Sequence, residues 1–347
     1  MKMIRLEGAY NLPIHQATFD YITGINPRLE WEERGISAHS DNLELQKKLE
    51  EEKERAKQYL KTEEGQKELT NFINECSNLF SDLLNNSNCW KEEHLNDKEI
   101  IFVIGAMRTA GTYLYTQLSE VFNIGWKNLN IKMSHDSIPT YMNLFNWSDP
   151  SNWLSLMFEM SQFLNWAQKE CMKQELIIQK RIAYGHALPF LNKLFGEKAK
   201  YIITVRHPGA IARSFKKLEG IDMKNIGEPA GWRIMAKQRK GITNEQWEKL
   251  SYNERVLVYW QIYYEDVAKY GLPDGDVCIL SYGKESYENF LIKMAEQYNK
   301  DYSPEEFKET EREYDDFWYS EQVNNTIEEV KLWWQVHGMG FPELELK

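Results

Sequence analysis

Residues 100–112, Ile-Ile-Phe-Val-Ile-Gly-Ala-Met-Arg-Thr-Ala-Gly-Thr, decide the fold. A short apolar run, 100–104, leads into a loop of small residues from Gly105 to Gly111. Tyr113, Leu114, Gln117, Leu118 and Val121 then recur at helical steps, so the stretch reads strand, loop, helix. Such a loop aims backbone N–H groups and a helix N-terminus at one point, the arrangement that holds a tetrahedral oxyanion. Arg108 adds a fixed positive charge there. A Walker A loop would read GxxxxGK[ST]; here five residues separate Gly105 from Gly111 and no Lys precedes Thr112. The loop is P-loop-like without being an ordinary nucleoside triphosphate site. Taken alone, a turn of this composition serves equally well as a purely structural one.

Working outward, three more apolar runs follow: 176–178 (LII), 201–205 (YIITV) and 277–280 (VCIL), separated by amphipathic helical stretches. That alternation predicts an α/β fold, a buried parallel sheet flanked by helices, over residues 99–347. Residues 1–98 read as a helical extension packed on it. Leu45, Leu49, Ala56 and Leu60 stripe a highly charged segment, and Leu69, Phe72, Ile73, Cys76, Phe80, Leu83 and Leu84 form a better apolar face. Ser251 with Glu254, and Ser303 with Pro304 and Glu306, read as capping boxes that open helices. Gly271 reads as a helix C-terminal stop.

The third run repeats the logic of the first. Tyr201 to Val205 ends on Arg206-His207-Pro208-Gly209, and Ala210-Ile211-Ala212-Arg213-Ser214-Phe215 continues as a helix. Pro208 suits its first turn. Ser214 faces Arg206 only if that helix folds back beside the strand end, and the pair would then clamp a phosphate. The second run ends on Gln179-Lys180. No apolar run carries an Asp at its tip, where a Walker B metal ligand would sit.

GAMRTAGTYL at 105–114, followed about a hundred residues later by VRHPGAIARSF at 205–215, resembles the family of sulfotransferases that use 3′-phosphoadenosine 5′-phosphosulfate (PAPS). The family writes its first loop PRSGTTWL or PKSGTTWL and grips the 5′-phosphosulfate with it. Its second motif, close to RNPRDVAVSYY, grips the 3′-phosphate through an Arg and a Ser, which fall on Arg206 and Ser214. The segment from Gln179 to Lys200 resembles the family's stretch with a Lys beside the sulfuryl group, falling on Lys180. VCILSYGKESYENFL resembles its strand, turn and helix, with YGKE in place of YEDL. The resemblance covers roughly residues 100–300 and implies a P-loop-NTPase-like sulfotransferase fold. It makes Arg108 and Lys180 charge-stabilising catalytic residues, and Arg108, Thr109, Ala110, Gly111, Thr112, Tyr113, Arg206 and Ser214 the PAPS-binding set, with no metal. Ala110 and Gly111 depart from the family's Gly and Thr. Ile182 stands where the cytosolic branch has a His.

A general base for an acceptor hydroxyl or amine must therefore come from elsewhere. His135 and Asp136 are the candidates, in the region where several other branches place one; they read equally well as polar caps of a helix near Pro139. His186 is held in reserve, and His207 reads as structural. Aromatic residues crowd 139–166 and are either helix core or the wall of an apolar acceptor pocket. Gln238 to Gly241 reads as a solvated basic turn.

A net charge of −11 over 347 residues leaves no general basic face for nucleic acid or a membrane surface, so an anionic ligand must meet a local basic patch. Arg108, Lys132, Lys180, Arg181, Arg206, Arg213, Lys216 and Lys217 supply one beside the two loops. Four scattered cysteines form neither a zinc pattern nor a disulfide framework, and no apolar window approaches a membrane span, so a reduced cytoplasmic protein is expected. Two alternatives stay open: a P-loop kinase-like phosphotransferase, and a non-catalytic nucleotide-binding member of the fold. The acceptor, whether small molecule, glycan or lipid, is not fixed by these motifs.

Overall fold

All four apolar runs lie side by side in one parallel sheet. The computed structural model describes residues 3–5, 13–15, scattered positions between 51 and 85, 99–122, 176–180, 182–186, 188–216, 230–269, 277–308 and 313–346. It divides into two compact units, Met1–His94 with Ser137–Lys173, and Leu95–Asp136 with Gln174–Lys347. In the first unit, strands β1 (Met3–Arg5) and β2 (Pro13–His15) pair antiparallel, with Ile4 opposite Ile14. That pair lies inside the segment read from the sequence as helical. Residues 58–60 and 63–68 are helical, while most of the two apolar stripes expected there lie outside the described residues.

The second unit holds β3 (Glu99–Gly105), helix α1 (Gly111–Val121), β4 (Leu176–Lys180), a 3₁₀ turn (Ile182–His186), α2 (Leu188–Phe195) and β5 (Ala199–Val205). Then come α3 (Pro208–Lys216), α4 (Ala230–Lys240), α5 (Asn244–Lys249), α6 (Tyr252–Lys269), β6 (Val277–Ser281), α7 (Lys284–Gln297) and α8 (Glu321–Val336). The sheet order is β4-β3-β5-β6, all parallel, with Gly105 opposite Thr204. Residues 100–104 and 201–205 are buried throughout, which is why they read as unbroken apolar runs. The chain leaves β3 for β4 on one side, then crosses back over β3 to β5. The two central strands therefore meet at a topological switch point, and a crevice opens beyond their carboxyl ends.

Helix α6 is the template for that crevice. Ser251 and Glu254 form the expected capping box, Ser251 N–H donating to the Glu254 carboxylate at 2.7 Å and Glu254 N–H to Ser251 Oγ at 3.3 Å. Tyr259, Trp260, Tyr263 and Tyr264 share one face at helical spacing, are buried, and spend their polar ends on strand-tip backbone. Tyr259 OH accepts from Met107 N–H at 3.0 Å, and Trp260 Nε1 donates to the Arg206 carbonyl at 2.8 Å. Tyr263 OH and Tyr264 OH donate to the carbonyls of Ile182 and Thr204, each at 2.8 Å. One helix face thus fixes the ends of β3, β4 and β5 together.

Two expectations are corrected. Ser303, Pro304 and Glu306 open no helix: 301–308 is an irregular strap. Its amides are satisfied by side chains instead, Glu305 N–H by Gln117 Oε1 at 2.8 Å and Phe307 N–H by Glu288 Oε1 at 3.1 Å. Gln238 to Lys240 is the end of α4, not a solvated turn. Arg239 reaches Asp266 at 3.2 Å, and the same carboxylate takes His186 Nδ1 at 2.9 Å. Burial pushes the Asp266 pKa up, but its hydrogen bonds and electrostatic interactions with His186 and Arg239 outweigh it and hold it below the ordinary value. Gly271 lies outside the described residues. Among the described residues no helix is long and apolar enough to cross a membrane.

Candidate active site

A cavity of about 430 Å³ opens at the carboxyl ends of β3 and β5. Residues 103–112 form its floor, and Lys180, Ile182, Thr204, Arg206, Ser214 and Tyr282 come in from the neighbouring strand tips and from α3. Phe307 and Lys308 reach in from the strap.

The first loop is held from below and strained above. A Cβ on Gly105 would lie 2.0 Å from Thr204 Oγ1 and 2.7 Å from Thr109 Oγ1, so only glycine lets the loop turn back over β5. The two threonine hydroxyls meet at 2.7 Å, and Thr109 Oγ1 also donates to the Ala106 carbonyl at 2.9 Å. Tyr287 OH donates to the Thr109 carbonyl at 2.7 Å. Arg108 and Ala110 take left-handed conformations, with φ of 69° and 59°. For residues with a Cβ this costs roughly 1–2 kcal/mol each and is characteristic of functional turns. Ala110 is the N-cap of α1 and gives it no side-chain cap, and Ala110, Gly111 and Thr112 at this helix start all line the cavity. Lys180 lies across this helix start, its Cε 3.3 Å from where a Cβ on Gly111 would be.

The second turn is built differently. Arg206 is buried, its guanidinium carbon 3.6 Å from the centre of the Tyr282 ring. Arg206 Nη1 donates to the Arg108 carbonyl at 2.9 Å, and Arg108 Nε donates to Ser214 Oγ at 3.0 Å. Helix α3 thus folds back far enough for Ser214 to reach Arg108, whose carbonyl in turn holds Arg206. Burial pulls the Arg108 pKa below its usual value, with Tyr282 opposing, and the guanidinium stays cationic at neutral pH. His207 is buried and its Nδ1 accepts the Gly209 N–H at 3.1 Å, closing the start of α3. Burial lowers its pKa to about 4, so it is a neutral structural acceptor, as the sequence suggested.

Eight of the expected residues, Arg108, Thr109, Ala110, Gly111, Thr112, Lys180, Arg206 and Ser214, meet in the one cavity. Tyr113 does not line it. Its ring stacks on Tyr287 and meets Phe307 edge-on, and its hydroxyl donates to the Glu305 carbonyl at 2.6 Å. His135 and Asp136, with Lys132, Arg181, Lys217 and the aromatic stretch 139–166, lie outside the described residues. His186, the reserve base, is bound into the Asp266 cluster and is not part of the cavity lining. Arg213 and Lys216 turn instead to residues 313–315, Arg213 Nη1 donating to the Glu313 carbonyl and Lys216 pairing with Asp315 at 3.0 Å. Tyr282, Phe307 and Lys308 were missed: Tyr282 carried a signal in its place just past a strand tip, and nothing local marks the other two. No protein-family model, curated protein or solved structure matches this chain.

Proposed function

We propose that this chain is a nucleotide-dependent group transferase and, more particularly, a sulfotransferase of P-loop-NTPase-like fold that transfers a sulfuryl group from PAPS to an acceptor hydroxyl or amine. The observation that carries the reading is the meeting of Arg108, Lys180, Arg206 and Ser214, from three strand tips and a folded-back helix, around one cavity. Each of the four stretches that resemble the family contributes to its lining, residues 105–112, Lys180, Arg206 with Ser214, and Tyr282. The described lining holds the cations Arg108, Lys180, Arg206 and Lys308 and no carboxylate, a balance suited to a ligand anionic at both ends. The cavity falls within the roughly 300–1,000 Å³ of small-molecule sites.

When bound, PAPS supplies the activated sulfuryl group. The chain's own part is electrostatic: the loop and first-turn N–H groups from Thr109 to Thr112, with Arg108, cradle the 5′-phosphosulfate end. Lys180 and Arg108 stabilise negative charge that develops on the bridging oxygen during in-line transfer. Arg206 and Ser214 hold the 3′-phosphate. His135 or Asp136 accepts the acceptor's proton. Incubation with labelled PAPS and panels of alcohols, phenols, glycans and lipids tests the reading: a labelled product is expected, and replacing both His135 and Asp136 by alanine should lower its rate by about 10²-fold while nucleotide binding survives. Transfer from Mg-ATP instead would make the chain a kinase. Tight nucleotide binding with no transfer to any acceptor would leave a binding module.

A further inference from the structure

We infer that the C-terminal tail, residues 338–346, is a positioning clamp on the Arg206 turn, with Phe341 as its wedge. The tail begins where Gly338, at φ 76°, turns the chain back from α8, and Met339 N–H donates to the Trp334 carbonyl at 2.9 Å. Phe341 then enters edge-on among three buried rings: Trp334, Tyr264 and Trp260, at centroid distances of 4.9, 5.8 and 6.0 Å and interplanar angles of 82°, 81° and 86°.

Two of those rings hold the end of β5. Tyr264 binds the Thr204 carbonyl and Trp260 binds the Arg206 carbonyl, each at 2.8 Å. Trp334 in turn holds the Tyr264 carbonyl at 2.8 Å. Phe341 is therefore one ring removed from the backbone that aims the Arg206 guanidinium. The tail closes the same turn at two further points. A Cβ on Gly209 would lie 3.0 Å from Leu346 Cδ2 and 2.8 Å from Trp318 Cγ, so both side chains press on the start of α3. Ser281 Oγ donates to the Glu343 carbonyl at 3.1 Å, pinning the tip of β6. The next residue, Tyr282, carries the ring under Arg206 and donates its N–H to the Val205 carbonyl at 2.8 Å. Three tail residues thus reach three sides of the Arg206 turn, and none of them lines the cavity.

Loosening this support is expected to blur the direction of Arg206 more than it alters the first loop. The functional half of the inference rests on Arg206 being the 3′-phosphate anchor. The test uses the full chain and its Phe341→Ala and Phe341→Tyr variants, with thermal unfolding confirming that each is folded. Should Phe341→Ala not fold, Phe341→Leu is read in its place. Titration with 3′-phosphoadenosine 5′-phosphate is expected to show affinity about tenfold weaker for Phe341→Ala and restored in Phe341→Tyr, with 5′-AMP affinity changed by less than about twofold. Backbone hydrogen exchange, read without ligand, is expected to quicken from Arg206 to Ala210 in Phe341→Ala and to stay unchanged at Arg108 to Gly111. Unchanged exchange at the Arg206 turn overturns the clamp whatever the ligand. Quickened exchange with undiminished bisphosphate affinity overturns its functional role. A wild-type chain that does not prefer the bisphosphate sinks the donor reading instead, and the exchange data still decide the clamp.

Discussion

The turns after β3 and β5 come from the same strand-turn-helix plan and solve opposite problems. After β3 the backbone is strained and its helix start uncapped: Arg108 and Ala110 are left-handed, and α1 starts without a side-chain cap. After β5 no residue of the turn has positive φ, and His207 caps the Gly209 N–H. Trp260 holds the Arg206 carbonyl, and Trp318 and Leu346 press on Gly209. The first turn is strained and carries no side-chain cap at the helix it opens. The second is braced so that one side chain, Arg206, keeps its direction.

The largest effect expected from this contrast is at Lys180, which lies over the open start of α1. Lys180→Ala should lower sulfuryl transfer by about 10²–10³-fold with much less change in bisphosphate affinity; equal losses in both would mean that Lys180 only binds.

The braced turn should be sensitive to acid. The unfolded chain protonates His207 near pH 6.5, while the folded chain resists until about pH 4. The stability tied to this residue is therefore complete above pH 6.5 and falls by about 3 kcal/mol as pH drops toward 4. Urea midpoints measured across that range should show the loss. His207→Asn, which keeps an acceptor for Gly209 but does not titrate, should remove that part of the slope; an unchanged slope would refute the assignment.

Tyr287→Phe should destabilise the chain by about 1–3 kcal/mol, because the buried Thr109 carbonyl loses its donor. It should also weaken ligand binding at the first loop, which Trp260→Phe on the other side should not. The smallest effect is at the strain itself. Ala110→Gly should stabilise by about 0.5–1 kcal/mol, since glycine takes φ of 59° without Cβ strain. Ala210→Gly, in the braced helix, should instead destabilise by at least as much. Chemical denaturation of the pair decides it, and the same sign for both would erase the contrast.

What was legible in the sequence was whatever is local. Ile100 to Ile104 and Tyr201 to Val205 announce buried strands by composition, and Ser251 with Glu254 announces a helix start by spacing. The cap formed by Thr243 and Gln246 was equally local and was passed over. What was not legible is made of long-range partners. Tyr287 reaches Thr109 across 178 positions, and Tyr302 and Glu305 reach Gln117 across 185 and 188. Ser303-Pro304-Glu306 carries a valid local helix signal, yet Gln117 and Glu288 satisfy the strap amides and bring Phe307 and Lys308 into the cavity. Arg239 looked like a solvated cation because its partner Asp266 lies 27 positions away on another helix.

The central claim, two anion clamps of different construction in one cavity, is tested most directly by calorimetric titration of the chain and its Arg206→Ala variant with 3′-phosphoadenosine 5′-phosphate, 5′-AMP and Mg-ATP. The account predicts micromolar binding of the bisphosphate, weakened about 10- to 150-fold by loss either of the 3′-phosphate or of Arg206, with Mg-ATP binding more weakly. Equal affinity for 5′-AMP, or tighter binding of Mg-ATP, would contradict it.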